Sequence, residues 1–334
     1  MEKQLTYQVV SVDLRVPPPS LACDLGGTRI KIGVVCAGHL LAQTTIPAHS
    51  ENGIANALPR LAAAWRNLLE SLQLESADCT GVSIAFPSLI DVATGRVLAE
   101  YGKYSDAMDL DLRDWARCEF GLPLAIENDA RMALIGEWKY GAGQGADDVV
   151  MITLGTGIGT AAIMQGQVIR GKHGQAAILG GHSSLRFNGR ACGCGNTGCA
   201  EAEASTAFLN AMAHSRPDYQ KSALAAESLL DFASVFKHAA SGDACALALR
   251  DHSLRIWATL AVNLIHAYDP EILVLGGGIM GSADVIVPFI ENHIASHANT
   301  PWGRVTVSAS ELGDQAALVA AEWLLQEQFH PQST

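Results

Sequence analysis

The sequence predicts an α/β protein built from two domains. Three observations indicate this: apolar strands alternate with amphipathic helices, two glycine hairpins of the same design stand a domain apart, and the chain has 334 residues. Hydrophobic residues make up 49% of the chain and charged residues 17%, which is enough apolar material for two buried cores.

Each element is assigned from the spacing of its apolar residues and from the glycine and proline residues that bound it. The predicted elements are, in order, strand–turn–strand at 21–38, helix at 53–74, strand and proline turn at 79–91, strand and helix at 122–138, a second glycine hairpin at 148–169, helices around 223–240 and 244–268, a strand at 271–278, and a helix at 315–327.

Two domains that each direct a glycine hairpin into a shared cleft resemble the actin-like ATPases, which have a ribonuclease H-like fold. We expect a small N-terminal α/β domain over 1–133, completed by a C-terminal helix at 315–334. A large α/β domain with a metal-binding loop is expected over 134–314. Residues 1–19, which end in three prolines, are expected to form a loose or extended leader.

Composition and charge disfavour several classes of protein. The net charge of −12 would repel a phosphate backbone, and no basic stripe offsets it, so we expect no nucleic-acid partner. The N-terminus lacks a secretory pattern and no run approaches 18 apolar residues, so we expect a cytoplasmic protein without a membrane partner. The eight cysteines do not predict a disulfide scaffold, because a chain of this length needs none.

The two glycine hairpins are candidate phosphate-binding loops. Glycines in a strand–strand turn leave backbone N–H groups free to surround anionic oxygens. An ordinary hairpin turn is the alternative for either loop alone, but the repetition of the same composition favours a pair of phosphate loops. In the first loop Asp24 is also placed to hold Mg²⁺ through water. The candidate residues are Asp24, Gly26, Gly27 and Thr28 in the first loop and Gly155, Thr156 and Gly157 in the second.

A third glycine run follows an apolar strand at 276–278. Gly277 and Gly278 would let an adenine or ribose lie against the backbone, or they form only a tight turn. Gly276, Gly278 and Gly281 also match a dinucleotide fingerprint, which keeps a dehydrogenase open as an alternative. Residues 296–301, where the ribose-binding carboxylate would stand, contain none. A near match to a P-loop fails because His173 replaces the required Ser or Thr.

Asp129 is the candidate catalytic residue. It stands where a short strand turns into a helix, and a carboxylate there can accept a proton from an attacking hydroxyl. Asn128 beside it can hydrogen-bond neighbouring hydroxyls. The alternative is that this pair only caps the helix, because Asn and Asp are both favoured at that position.

Four potential metal ligands stand within 18 residues of one another. Three thiolates and an imidazole form a closed, tetrahedral, structural zinc site, and the glycines between the cysteines let the loop fold around one ion. The second ring nitrogen of the histidine remains able to face a substrate, and Glu201 would be carried toward the same place. The ligands are His182, Cys192, Cys194 and Cys199.

These segments together resemble the ROK family of repressors and sugar kinases over residues 21 to 327. The resemblance lies in Asp24–Thr28, Glu127–Asp129, Leu154–Gly159, and Gly181-His182 with the cysteines and Glu201. It implies that ATP and Mg²⁺ are bound, that Asp129 is the base, and that Asn128, His182 and Glu201 contact sugar hydroxyls. A repressor of this family would carry a DNA-binding domain ahead of Asp24, where only about twenty residues stand, so a kinase is favoured.

The chain departs from the family pattern at two positions. Leu179 stands where the family usually has a sugar-binding Glu, and Pro87-Ser88 replaces a usual Pro-Gly turn, which makes Ser88 a candidate substrate contact. We expect an ATP-dependent kinase that phosphorylates a hexose or N-acetylhexosamine, with glucose as the first guess. A sugar sensor without catalytic activity is the alternative. The resemblance also implies a dimer or tetramer, and it leaves open whether polyphosphate replaces ATP.

Overall fold

The computed structural model describes residues 17–329, so the predicted leader lies outside the described residues up to position 16. The chain divides into two compact units, of which the first contains the residues up to Met132 together with those from Ala317, and the second runs from Ala133 to Ala316. Within 17–329, no helix has both the length and the apolar character needed to cross a membrane.

The first unit contains a five-stranded sheet in the order β3-β2-β1-β4-β7. Strands β1 to β3 are antiparallel, and β1, β4 and β7 are parallel. The central strands are buried on both faces, whereas β3 alternates between more and less exposed residues as expected at an edge. The strands are β1 (Ser20–Leu25), β2 (Arg29–Cys36), β3 (His39–Pro47), β4 (Val82–Phe86), the hairpin β5 (Ile90–Asp91) and β6 (Arg96–Val97), and β7 (Leu124–Asn128).

Helices α1 (Ile54–Leu72), α2 (Leu112–Phe120) and α10 (Ala321–Phe329) belong to this unit. Trp65 of α1 is fully buried, and its indole N–H lies 3.3 Å from the carbonyl oxygens of Ala22 and Gly33, which satisfies its one donor in the core. Helix α10 packs on β1, β4 and β7. The carboxylate of Glu322 on this helix accepts hydrogen bonds from the backbone N–H groups of the β2–β3 turn.

The second unit repeats the same topology. Its sheet has the order β10-β9-β8-β11-β12, with β8 to β10 antiparallel and β8, β11 and β12 parallel. The antiparallel edge differs from the strand order of dinucleotide-binding dehydrogenases, so the topology does not support that alternative. The strands are β8 (Val149–Leu154), β9 (Ile158–Met164), β10 (Gln167–Val168), β11 (Ile272–Gly276) and β12 (Thr306–Ala309).

The helices of the second unit cover its sheet and carry its loops. Trp257 on the long helix α7 is fully buried and donates to the carbonyl of Ala204 at 3.0 Å, as Trp65 does in the first core. The chain passes from one unit to the other within α3 and again within α9. The helices are α3 (Asp129–Tyr140), α4 (Ala200–Ala204), α5 (Thr206–His214), α6 (Phe232–Ala240), α7 (Ala244–Tyr268), α8 (Ala283–His297) and α9 (Ala316–Val319).

Candidate active site and metal centre

The first glycine turn joins β1 to β2 in the first unit. The N–H of Gly26 closes the turn on the carbonyl of Arg29 at 3.0 Å. Within residues 17–329, the N–H groups of Gly27 and Thr28 donate to no protein acceptor. Two successive unpaired N–H groups in a turn form a concave anion site. On the neighbouring strands Asp24 pairs with Lys31 at 3.2 Å.

The second glycine turn joins β8 to β9 and has the same character. Gly155 donates to the carbonyl of Gly157 at 3.0 Å. The N–H groups of Thr156 and Gly157 have no acceptor among the described residues. The first N–H groups of α5, at Thr206 and Ala207, hold the carbonyls of Gly155 and Thr156 at 3.0 Å each. The start of α5 therefore holds the loop in place through its carbonyl groups.

Asp129 begins α3 directly after β7. Burial and the negative charge of Asp24 raise the pKa of the Asp129 carboxyl to about 6, although Lys103 and the N–H of Ala130 act in the opposite direction. One carboxylate oxygen accepts hydrogen bonds from the Asn128 amide at 3.0 Å and from the N–H of Ala130 at 2.8 Å. A carboxylate with a pKa close to neutrality is suited to accept a proton at physiological pH.

Asn128 is buried and has all four hydrogen-bonding positions of its amide occupied. Its oxygen accepts from the N–H groups of Ala130 and Arg131, so Asn128 caps α3, as the alternative interpretation predicted. Its nitrogen donates to Asp129 and, at 3.2 Å, to the carbonyl of Ser88. A contact of Asn128 with a sugar would require exchange of one of these bonds.

Ser88 is buried, and its hydroxyl donates to the carbonyl of Ala99 at 2.5 Å. Its one proton is therefore engaged, and only the lone pairs of the oxygen remain for a ligand. The carbonyl of Ser88 orients Asn128 instead. Direct contact between Ser88 and a substrate stays a prediction.

The four predicted metal ligands come together in the second unit. His182, Cys192, Cys194 and Cys199 offer ligand atoms that all lie within 4.8 Å of one another. The Sγ atoms of Cys194 and Cys199 are 3.7 Å apart, and Nδ1 of His182 lies 3.6 Å from Sγ of Cys192. A tetrahedral zinc ion with ordinary bond lengths gives edges of about 3.8 Å between two sulfurs and about 3.6 Å between sulfur and nitrogen. The donor set and its spacing fit zinc.

The loop between the ligands is a compact hairpin. Ser184 bridges to Cys199 and Ala191 bridges to Thr197. Gly198 has a φ of +70°, and a β-carbon there would collide with the backbone of Arg186, so no other residue fits. Because Nδ1 of His182 faces the thiols, its Nε2 remains available for another contact.

Two carboxylates of α4, directly after the predicted metal ligands, have different partners. Glu201 accepts a hydrogen bond from the N–H of Ile158, directly after the second glycine turn, at 3.0 Å. Glu203 is fully buried and binds Arg186 and Arg190 at 3.0 and 3.1 Å. Burial alone would raise the pKa of Glu203, but hydrogen bonds from Arg190 and Arg186 hold it below its ordinary value. The sequence pattern gives no sign of these contacts, because Glu203 stands there only as one more acidic residue of a helix.

A cavity of about 490 Å³ lies in the second unit beside the second and third glycine turns. Its volume suits a nucleotide-sized ligand. Gly277 does not line it: with a φ of +92°, it lets the end of β11 approach the backbone of Leu154, where a β-carbon would collide. The lining includes Gly155, Thr156, Phe232, Lys237, Gly278 and Ile279.

Leu179 in the second unit and Lys103 in the first unit are two further residues near the candidate site residues of their own unit. The Leu179 side chain is 36% exposed, and its carbonyl accepts a hydrogen bond from the N–H of His182 at 2.9 Å. Lys103 lies against Gly27 in the first unit, and its positive charge acts to lower the pKa of Asp129. Lys103 belongs to no motif, because a single lysine in a polar connecting segment carries no pattern.

Comparison with known proteins identifies the family. A model of the ROK family matches residues 20–328. The chain is 31% identical to a glucokinase of Thermotoga maritima over 92% of this chain and 98% of that one, and 28% identical to an N-acetylmannosamine kinase of Yersinia pestis over 91% and 97%. A ROK family glucokinase from Streptomyces griseus, solved with glucose and AMPPNP, superposes with a TM-score of 0.76 at 28% identity over 91% of this chain and 98% of that one. The chain has the actin-like fold of these kinases and belongs to the ROK family.

Proposed function

We propose that this protein is an ATP-dependent sugar kinase that phosphorylates a hydroxyl group of a hexose or N-acetylhexosamine. The observation that carries the proposal is the carboxylate of Asp129, whose pKa is raised to about 6 at the end of β7. It lies in the same unit as a glycine turn with two unpaired N–H groups. The kinases to which the chain is similar support the same reaction.

In the proposed reaction Asp129 accepts the proton of the sugar hydroxyl as the oxygen attacks the γ-phosphorus of ATP. The new bond joins the sugar oxygen to phosphorus. The bond from phosphorus to the β,γ-bridging oxygen breaks, and ADP leaves with the electron pair. The net products are a sugar phosphate, ADP and one proton released to solvent. Asn128 holds the carboxylate of Asp129 in place through its 3.0 Å hydrogen bond.

The cofactor assignments follow the chemistry of each group. The second unit's 490 Å³ cavity is proposed to take the adenosine part of ATP, and the unpaired N–H groups of each glycine turn are proposed to bind phosphate oxygens. Asp24 is the proposed carboxylate for Mg²⁺, which when bound neutralises phosphate charge. The His182 and cysteine cluster is proposed to hold a structural zinc ion.

His182 and Glu201 are the proposed sugar contacts of the second unit. Nδ1 of His182 faces the thiols, which leaves Nε2 for a sugar hydroxyl. One oxygen of Glu201 holds Ile158, and the other remains for a ligand. The partly exposed side chain of Leu179 beside them has no hydrogen-bond acceptor, so we propose that it selects among sugars.

The test is sugar-dependent ADP formation with ATP and Mg²⁺ across glucose, fructose, mannose, allose and their N-acetylamino relatives. A response to one sugar at least tenfold above the others establishes the kinase and identifies the substrate. Equal rates with and without every sugar, in a folded and zinc-loaded protein, contradict the kinase. Sugar binding without turnover would instead support the sensor. The same assay with polyphosphate tests the phosphate donor.

We also propose a cytoplasmic homo-oligomer, a dimer or tetramer, with the sugar as its partner rather than nucleic acid. Sedimentation equilibrium of the full chain tests the oligomeric state, and a monomer at micromolar concentration contradicts it.

A further inference from the structure

Lys103 lies on the segment between β6 and α2 in the first unit, and hydrogen bonds fix this segment against the first glycine turn. The buried hydroxyl of Tyr104 donates to the carbonyl of Gly26 at 2.9 Å. The N–H of Tyr104 donates to the carbonyl of Ser50 at 3.0 Å, and the Ser50 hydroxyl donates to the carbonyl of Gly27 at 2.9 Å. The position of Lys103 is therefore set by its neighbours.

The next turn of the segment is fixed as well. Both carboxylate oxygens of Asp106 accept hydrogen bonds from the first N–H groups of α1, at Ile54 and Ala55. These groups have no partner inside the helix, so Asp106 caps α1 from outside. Lys103 thus stands directly before Tyr104 and three residues before Asp106, and both of these residues are fixed by hydrogen bonds.

The Lys103 side chain lies over Gly27. A β-carbon added at Gly27 would lie 2.8 Å from Cε of Lys103 and 3.4 Å from its Nζ. A side chain at position 27 would therefore displace the ammonium group. The ammonium group lies beside the first glycine turn, in which the N–H groups of Gly27 and Thr28 have no acceptor within residues 17–329.

The charge of Lys103 is not neutralised by an ion pair within residues 17–329, and Lys103 makes no hydrogen bond there. Lys31 differs, because it pairs with Asp24 at 3.2 Å. Lys103 is close enough to Asp129 to stabilise the ionised carboxylate. One ammonium group thus lies near both the phosphate-binding turn and the proposed base.

We propose that Lys103 is a catalytic residue that binds the phosphoryl group during its transfer from ATP to the sugar. The inference rests on the proposed kinase function. As the sugar oxygen bonds to phosphorus and ADP leaves with the electron pair, negative charge spreads over the three equatorial oxygens. The Lys103 ammonium group stabilises this charge, while the sugar proton goes to Asp129.

The experiment compares Lys103→Met, Lys103→Gln and Lys103→Arg, with Lys221→Met as the matched control on an exposed lysine. Removing one preorganised donor from a transition state lowers turnover by about 100- to 1000-fold. We expect that loss of kcat for Met and Gln, with little change in KM for the sugar, partial activity for Arg, and wild-type activity for the control. A kcat for both Met and Gln within threefold of the wild type overturns the proposal.

Calorimetry without turnover keeps the inference separate from the kinase function. We expect Lys103→Met to bind AMPPNP at least tenfold more weakly than the wild type while its affinity for ADP changes little, because ADP lacks the γ-phosphate. Equal losses for both nucleotides, or no loss, overturn the role of Lys103. If the wild type binds AMPPNP but phosphorylates no sugar, the kinase function fails. The comparison of AMPPNP with ADP then still shows whether Lys103 binds the γ-phosphate.

The pH profile tests whether the charge of Lys103 acts on Asp129 in solution. Because Lys103 lowers the pKa of Asp129, the acid limb of kcat/KM is expected to move to higher pH in Lys103→Met. An unmoved limb overturns the proximity of the two groups in solution.

Discussion

Glu201 accepts a hydrogen bond from the backbone N–H of Ile158 at 3.0 Å. Glu201 stands two residues after Cys199, the last of the predicted metal ligands, and Ile158 begins the strand that follows the second glycine turn. One carboxylate thereby connects the proposed zinc site to a proposed phosphate loop within a single unit. A change in the metal loop should therefore be measurable at the nucleotide.

Cys194→Ala should lose most of the bound zinc, because the remaining three ligands cannot complete the tetrahedral site. We expect a melting temperature lower by several degrees and a higher KM for ATP as well as for the sugar. Zinc content by atomic emission and melting curves with and without EDTA measure this. Cys118→Ala, at an exposed cysteine outside the cluster, is the control. Unchanged zinc in Cys194→Ala would refute the assignment.

Glu203→Gln should weaken the metal loop without touching a ligand. Glu203 is fully buried and its two arginine partners keep part of their exposure, so we expect a loss of about 2 kcal/mol in the free energy of unfolding. Loosening of the Arg186–Arg190 segment should also weaken zinc binding by about 10- to 100-fold. Urea denaturation and competition with a zinc chelator measure the two effects, and Glu291→Gln is the exposed control. Equal zinc affinity in both variants would contradict this positioning role.

Asp129→Asn should lower kcat by about 100- to 10,000-fold, because it removes a general base, while sugar affinity changes little. The amide oxygen can keep the hydrogen bonds from Asn128 and Ala130. Single-turnover phosphorylation and sugar binding by calorimetry measure the two properties. Asp109→Asn, at an exposed aspartate of the same unit, serves as the control. Near-normal turnover would remove Asp129 as the base.

The same substitution should make the protein more stable at pH 7. The folded pKa of Asp129 is raised to about 6, so its ionised form disfavours folding, and this penalty grows as pH rises from about 4 to about 6 and is constant above. After allowance for partial exposure, we expect a gain of about 1–2 kcal/mol in Asp129→Asn at pH 7 and none at pH 4. Urea denaturation at the two pH values tests this, and a gain that is equal at both would contradict the raised pKa.

Activity should fall as pH decreases through about 6. The base works only when ionised, so log kcat/KM should rise with a slope of about one below pH 6 and level off above it. The measurement is an initial-rate profile from pH 5 to 8 with folding checked at each point. A limb near pH 4 would indicate an unperturbed carboxylate.

Much of the fold was predictable because its elements have strong local signals. The apolar runs that became β1, β4 and β8 are bounded by glycine or proline, and the helix predicted at 53–74 is α1 at Ile54–Leu72. The last helix is split into α9 and α10 around residue 320, where the apolar spacing gives no sign of a break.

The cysteine cluster was predictable because the spacing of its residues in the sequence is typical of metal ligands. The site was less predictable where the function of a side chain depends on its neighbours. Asn128 uses its whole amide inside the protein, and the Ser88 hydroxyl is engaged with Ala99, which no motif reveals. The roles argued for Glu203 and Lys103 depend on tertiary contacts. Their partners lie far away in sequence or in segments without periodicity.

Helix α10 and the hydrogen bonds of Glu322 have a consequence for biosynthesis. The first sheet packs against a helix that the ribosome makes only after the whole of Ala133–Ala316. At the usual rate of about 5–20 residues per second, synthesis of the second unit delays the appearance of α10 by roughly 10–40 s. During that interval the apolar face of the N-terminal strands is uncovered, so nascent chains should depend on chaperones more than a protein with contiguous domains.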